Sequence, residues 1–194
     1  MQEIIQVLEF IETLDKFKDV LRIVRRPPDE RPEDDAQHSW HLATMVVLLA
    51  PYHHEPIDVG HALKLAIFHD VPEIETGDVS SFDEIGRIGK AEREEAAMRR
   101  LVSQLPPEQT EEIMGYWLEN EHKQTPEARF VQALDKMQPM IQNLISNGAD
   151  WQQEPITETM LRQNKDHHYI PGTNLHALYN YIIAEGRRED ILPT

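Results

Sequence analysis

A chain of 194 residues that is 40% hydrophobic and 28% charged fits one globular domain with a sizeable core. Its lack of cysteine excludes disulfide scaffolds, cysteine-type zinc sites and thiol nucleophiles, so any catalysis must draw on histidine, carboxylates, hydroxyls, lysine or a metal. A net charge of -16 argues against nucleic acid as a partner, and no apolar run reaches the ~20 residues of a membrane-spanning helix.

The chain opens with acidic residues where a signal peptide would be basic, so a cytoplasmic protein beginning on an amphipathic helix is expected. Ile4, Ile5, Leu8, Ile11, Leu14 and Phe17 follow helical spacing and predict that helix to about Leu21. RRPPDERPEDDAQ reads as a loop. Helices are then predicted from about His38 to Leu49 and from about Asp58 to His69, with Asp58 near the N-cap and Pro72 bending the chain just beyond. GDVSSFDEIG is loop, and KAEREEAAMRRLVSQL is a charged helix ended by Pro106-Pro107 with a solvated face. Further helices are expected over about Glu108–Glu121, Pro126–Asn147 with Gly148 as the stop, Glu154–Asn164 and Asn174–Ala184. No stretch sustains β-type alternation, so the prediction is one all-α domain without significant sheet.

The sharpest local signal is FHDVPEIETGD, residues 68–78. His69 and Asp70 end an apolar helix, where both side chains can turn toward one ion; taken alone the pair also reads as an N–H to carboxylate hydrogen bond. His38 follows an acidic loop and opens an apolar helix. Asp135 sits among Phe130, Val131, Leu134 and Met137, where a buried carboxylate is costly unless paired or metal-bound. A salt bridge to Lys136 or Arg129, or an outward position, would satisfy it equally well. Glu73 and Asp78 follow closely enough to line the same cleft.

The order His, His-Asp, Asp resembles the HD superfamily, and within it the 5′-deoxynucleotidase-like branch. QHSWHLATMVVLLA, KLAIFHDVPEIETGDV and TPEARFVQALDKMQPMIQN carry the resemblance, with LRIVRRPP as a weaker fourth block, together spanning about Leu21 to Asn147. It implies a helical HD bundle over 1–194, with a core at about 21–147 and C-terminal helices 154–186 packed on it. It also implies one divalent transition metal, Mn²⁺ or Co²⁺ before Zn²⁺, Fe²⁺ or Ni²⁺, on His38, His69, Asp70 and Asp135. The implied activity is removal of the 5′-phosphate from a (deoxy)nucleoside monophosphate by a water that the metal activates. Glu73 would position or deprotonate that water, and Asp78 would contact the sugar or the water network. Arg26, with Arg22 and Arg25 as rivals, would meet the phosphate, and Glu121 would line the pocket; Lys136, as the neighbour of Asp135, reads equally as a phosphate contact or a structural ion pair. A homodimer is implied as well.

Two departures bear on substrate identity: Gln37 stands where relatives carry a carboxylate, and Pro27-Pro28 where some carry a stacking aromatic. The rival activities are an HD phosphodiesterase or triphosphohydrolase, disfavoured because no second His-Asp pair is present, or a non-catalytic HD-fold regulator, disfavoured because every implied ligand and Glu73 are kept. Among the other histidines, His41 completes an H-x-x-H but is expected to pack or face solvent. His53-His54 are expected to be solvated, and His61 to lie on an outer face. His167-His168 are expected in a charged loop, NKDHHY, with the edge of a partner's pocket as the lesser alternative. Trp40, Trp117 and Trp151 are assigned to the core or a dimer interface.

Overall fold

The computed structural model describes residues 1–26 and 31–193; Pro27-Pro28 lie outside the described residues. Helix α1 (Gln2–Leu14) runs into a 3-10 turn (Asp15–Asp19), and β1 (Leu21–Arg26) pairs antiparallel with β2 (Arg31–Asp34). Then come α2 (Asp35–Leu49), α3 (Val59–Phe68), the short α4 (Glu73–Thr76), α5 (Lys90–Val102) and α6 (Pro107–His122). The long α7 (Pro126–Ile145), α8 (Ala149–Gln153), α9 (Glu158–Lys165) and α10 (Asn174–Arg188) complete the chain.

The helical class holds, with helix starts set by local chemistry. Asp34, Asp58, Thr125, Thr157 and Thr173 each accept a backbone N–H three residues on, and Pro107 and Pro126 occupy first turns. The hairpin is the main departure. Val20 turns the backbone extended, and the β-branched pair Ile23-Val24 then favours strand, so the first helix stops at Leu14 rather than near Leu21. The run is short and flanked by prolines, which hides it from periodicity. The helix expected over Glu154–Asn164 starts later, as α9 at Glu158: Pro155 lies between the end of α8 and Thr157, which caps α9.

The main core gathers Leu42 and Val46 of α2, Leu65 and Ala66 of α3, Phe130, Leu134 and Met137 of α7, and Tyr179 and Ile183 of α10. Helix α7 runs through its middle. A second cluster joins Phe10 of α1, Met98 and Leu101 of α5 and Trp117 of α6. Trp117 and Trp151 are buried, whereas Trp40 is 70% exposed. The charged face of α5 is solvated at Arg99 and Arg100, but Glu94 is buried beside Lys90.

Pro139 lies inside α7 and has no N–H for the carbonyl of Asp135 four residues earlier. The helix ladder is therefore open at the residue that carries the central acid of the site. Nearby, the Tyr169 hydroxyl donates to the Ala133 carbonyl at 2.9 Å, tying the 166–173 connection to α7.

Candidate metal centre and its cavity

Three helices meet at one point. His38 comes from the first turn of α2, His69 caps the C-terminus of α3 with Asp70 next to it, and Asp135 comes from α7. The His38 Nε2 lies 3.1 Å from Asp135 Oδ1 and 3.8 Å from Asp70 Oδ2. The His69 Nε2 lies 2.9 Å from Asp70 Oδ2 and 3.8 Å from Asp135 Oδ1. Both histidines and Asp135 are buried, and each of the three offers a ligand atom within 4.8 Å of the others.

The hydrogen bonds behind the rings decide which atoms face the centre. His69 Nδ1 contacts the Ala66 carbonyl at 2.8 Å; a carbonyl only accepts, so Nδ1 carries the proton and Nε2 is left without a hydrogen-bond partner. His38 Nδ1 contacts Gln138 Oε1 at 3.0 Å, while the Gln138 amide nitrogen donates to Glu33 at 3.0 and 3.2 Å. The acceptor-only Glu33 thus sets the amide's orientation, and the amide sets the His38 tautomer. Two imidazole lone pairs and two carboxylates then converge. Lone pairs facing carboxylate oxygens repel unless a cation or extra protons lie between them. Two imidazoles and two carboxylates suit a borderline divalent ion.

The charge state reflects this tension. Burial and the Arg22 guanidinium pull the pKa of His38 down to about 4. Burial opposes the charge on His69 too, but Asp70 and Asp135 outweigh it and raise that ring well above its ordinary value. Against burial, His69 and Arg22 hold the Asp70 carboxyl low, and Lys136 with both histidines does the same for Asp135.

The centre forms one wall of a cavity of about 400 Å³, a size in the ~300–1,000 Å³ range of small-molecule sites. Glu73, Asp78, Lys90 and Lys136 also line it, and Val24, Phe82, Met140, Trp151, Ile156 and Leu161 supply its apolar lining. Glu73 is 3% exposed; its Oε1 accepts from Lys90 at 3.0 Å and its Oε2 has no partner. Burial and neighbouring Asp70 push its pKa up in spite of Lys90. Burial also raises Asp78, and Arg22 offsets part of that rise.

Asp70, Asp135, Glu73, Asp78 and Lys136 line one cavity, with Lys136 paired to Asp135 at 2.8 Å, and the buried His38 and His69 meet Asp70 and Asp135 behind it. The structure does not bring Arg26 there. Arg26 pairs with Arg31 at the turn end of the hairpin, roughly 13 Å further along the strand than Arg22. The arginine at the centre is Arg22, whose Nη1 reaches Asp35 at 3.1 Å and Asp70 at 3.0 Å. Glu121 is half-buried on α6, among the charges felt by Lys123 and Glu94, and is not one of the described residues lining the cavity. Residue 37 does not orient His38; Gln138 does, and its place three residues beyond Asp135 on the same helix face is the signal that could have found it. His41 is held by Gln138 at 3.1 Å, and His61 pairs with Glu119 at 2.8 Å. His53 is half-buried against Phe130 rather than solvated, while His54 is exposed.

A helical fold with a His, His-Asp, Asp centre defines a class of metal-dependent phosphohydrolases. Residues 14–172 match the family model for the HD domain, and the chain belongs to that family. It is 32% identical over 141 residues to the 5′-deoxynucleotidase HDDC2 of Xenopus laevis, covering 71% of this chain and 68% of that protein. It is 29% identical over 139 residues to the human 5′-deoxynucleotidase HDDC2, covering 70% of this chain and 66% of the relative. The match thus spans about two thirds of the length of these curated relatives. A crystal structure described as a predicted metal-dependent phosphohydrolase from Magnetospirillum magnetotacticum MS-1 superposes with a TM-score of 0.92 at 34% identity, covering 100% of this chain and 97% of that one.

Proposed function

We propose that this chain is a metal-dependent phosphohydrolase that removes the 5′-phosphate from deoxynucleoside monophosphates, with His38, His69, Asp70 and Asp135 as the ligands of one Mn²⁺ or Co²⁺. The observation that carries the reading is the pair of fixed imidazole lone pairs converging with two carboxylates on the cavity wall. The similarity to 5′-deoxynucleotidases supplies the substrate class. When bound, such a cation polarises a phosphoryl oxygen and lowers the pKa of water.

The chain's own residues divide the remaining work. The buried Glu73 carboxyl, with one oxygen free and Lys90 on the other, is placed to hold or move a proton of the attacking water. Lys136 and Arg22 place positive charge where a phosphate would otherwise meet only carboxylates. The apolar lining at Trp151, Ile156 and Leu161 fits a base, and Asp78 in the same lining would meet the sugar. A single cation is favoured because the neighbouring acids Asp35 and Asp70 already hold the Arg22 guanidinium between them. That weighs against a two-metal phosphodiesterase.

The site's residues come from the N-terminal hairpin through α9, and α10 packs on α7, which supports one domain over 1–194. Exposed Ile4, Leu8 and Ile11 on α1 and Trp40 and Leu48 on α2 support a homodimer, checked by light scattering. No helix among the described residues is long and apolar enough to cross a membrane. A cytoplasmic location fits the cysteine-free sequence, and the net charge of -16 disfavours nucleic acid as a partner.

The test is a panel of deoxy- and ribonucleoside mono-, di- and triphosphates, cyclic nucleotides and simple phosphate esters, with Mn²⁺ or Co²⁺. Release of phosphate from deoxynucleoside monophosphates is expected. Turnover confined to triphosphates or diesters would replace this reading with one of its rivals.

A further inference from the structure

We propose that Lys165 is a substrate-binding residue whose ammonium takes a phosphoryl oxygen of the nucleotide within the cavity that Asp70 and Asp135 of the metal centre also line. This rests on the phosphohydrolase reading above and adds to it a residue outside the sequence blocks that carry the family resemblance.

Lys165 is the last residue of α9, is 4% exposed, and lines the same cavity as Asp70, Glu73, Asp135 and Lys136. The other buried cations of that wall are taken. Arg22 is held by Asp35 and Asp70, Lys90 by Glu73 and Glu94, and Lys136 by Asp135. Lys165 has no carboxylate within 4.0 Å and no hydrogen-bond acceptor among the described residues. Its only polar-type contact there is the Phe82 ring, 5.8 Å from the ammonium to the ring centroid and so at the outer limit of a cation–π interaction.

Burying a lysine to this extent costs free energy that packing alone does not offset, and its Nζ is not sealed off but opens on the cavity. A methionine would fill the same volume against Phe82 with no charge to desolvate. The charges that Lys165 feels are Lys136, Asp135 and Arg22, two of them cations. Several carboxylates line the cavity too, but those beside Arg22, Lys90 and Lys136 are already paired, which leaves Lys165 as the buried cation there with no partner of its own among the described residues. A phosphate dianion supplies what is missing. It accepts from Lys165 and sits within the field of Lys136 while its other oxygens face the metal centre. Burial and Lys136 bring the Lys165 pKa down to about 7, so anion binding would draw a proton onto it.

The test uses the full chain loaded with Mn²⁺ or Co²⁺, comparing wild type with Lys165→Met and Lys165→Gln. Inorganic phosphate binding is measured by calorimetry in two buffers of different ionisation enthalpy, beside KM and kcat on a deoxynucleoside monophosphate and the melting temperature. Both variants are expected to bind phosphate about 10- to 100-fold more weakly, to raise KM more than they lower kcat, and to take up less proton on binding. Lys165→Met is expected to melt no lower than wild type. Unchanged phosphate affinity, or a lowered melting temperature with unchanged affinity, would show Lys165 to be a packing residue and overturn the proposal. Wild-type protein that binds no phosphate would overturn it too. Wild-type protein that binds phosphate through Lys165 yet hydrolyses no monophosphate would refute the substrate reading alone. If Lys165→Met does not fold, Lys165→Gln decides.

Discussion

Helix α7 carries two buried polar clusters, two turns apart, that answer the same problem differently. At its middle, Asp135 meets two histidines whose Nε2 atoms face carboxylates, and the set closes only with a cation or an added proton such as one on His69. Toward its C-terminus, the Asn143 side-chain oxygen accepts from the backbone N–H groups of Asp150 and Trp151 at 3.2 and 3.1 Å. Asp150 in turn accepts from the Arg25 backbone at 3.2 Å. That second cluster is complete: it starts α8 and ties the hairpin to α7. Burial of polar groups alone therefore does not mark a function. What separates the two is whether the donors and acceptors balance within the protein.

The contrast can be broken most sharply at its open end. Asp135→Ala is expected to abolish metal binding and phosphate release, and residual activity at even a tenth of wild type would move the centre elsewhere. Next, Glu73→Gln should lower kcat by roughly 10²–10⁴-fold while leaving metal content unchanged, as expected for a group that handles a proton. Gln138→Leu leaves the four ligands in place but frees the His38 tautomer. It should weaken metal affinity by about 10–100-fold, read by competition with a chelator.

At the closed end, Asn143→Ala should cost about 1–3 kcal/mol of stability by orphaning two buried N–H groups. Its kcat should remain within a few-fold; a loss as large as that of Glu73→Gln would erase the distinction between the clusters.

The smallest effect concerns Lys165, which faces Lys136 and Asp135 from α7, Arg22 from β1 and His168 from the turn after α9. Its folded pKa of about 7 lies below the ordinary 10.5, so between those values the unfolded chain binds more protons. Its contribution to stability therefore improves as pH rises through that window. Lys165→Met should raise the melting temperature more at pH 6.5 than at pH 9, and an equal shift at both would contradict this.

The sequence pointed to the proposed metal quartet because each member sits where helix periodicity makes a polar residue anomalous: His38 at the head of an apolar helix, His69-Asp70 at the end of another, Asp135 among core residues. Helix boundaries were legible for a similar reason, since Asp58, Thr125 and the prolines act locally. The hairpin was not. Its pairing of Leu21 with Asp34 depends on partners thirteen residues apart, and its register is irregular between Leu21 and Arg25. The same irregularity hid which arginine enters the site. The choice of Arg22 over Arg26 follows from where the strand lies across α7, not from any residue near it in sequence. Lys165 was invisible as a site residue because its role depends on what is missing around it, whereas Gln138 was marked only by its spacing from Asp135 on one helix face.

The most direct test of the account is metal stoichiometry, measured by elemental analysis and calorimetry on wild type and Asp135→Ala side by side. The geometry predicts one Mn²⁺ or Co²⁺ per chain in the wild type and none retained by the variant, with both proteins folded. Binding of the same ion with the same affinity in Asp135→Ala, or no ion bound by wild type, would contradict it.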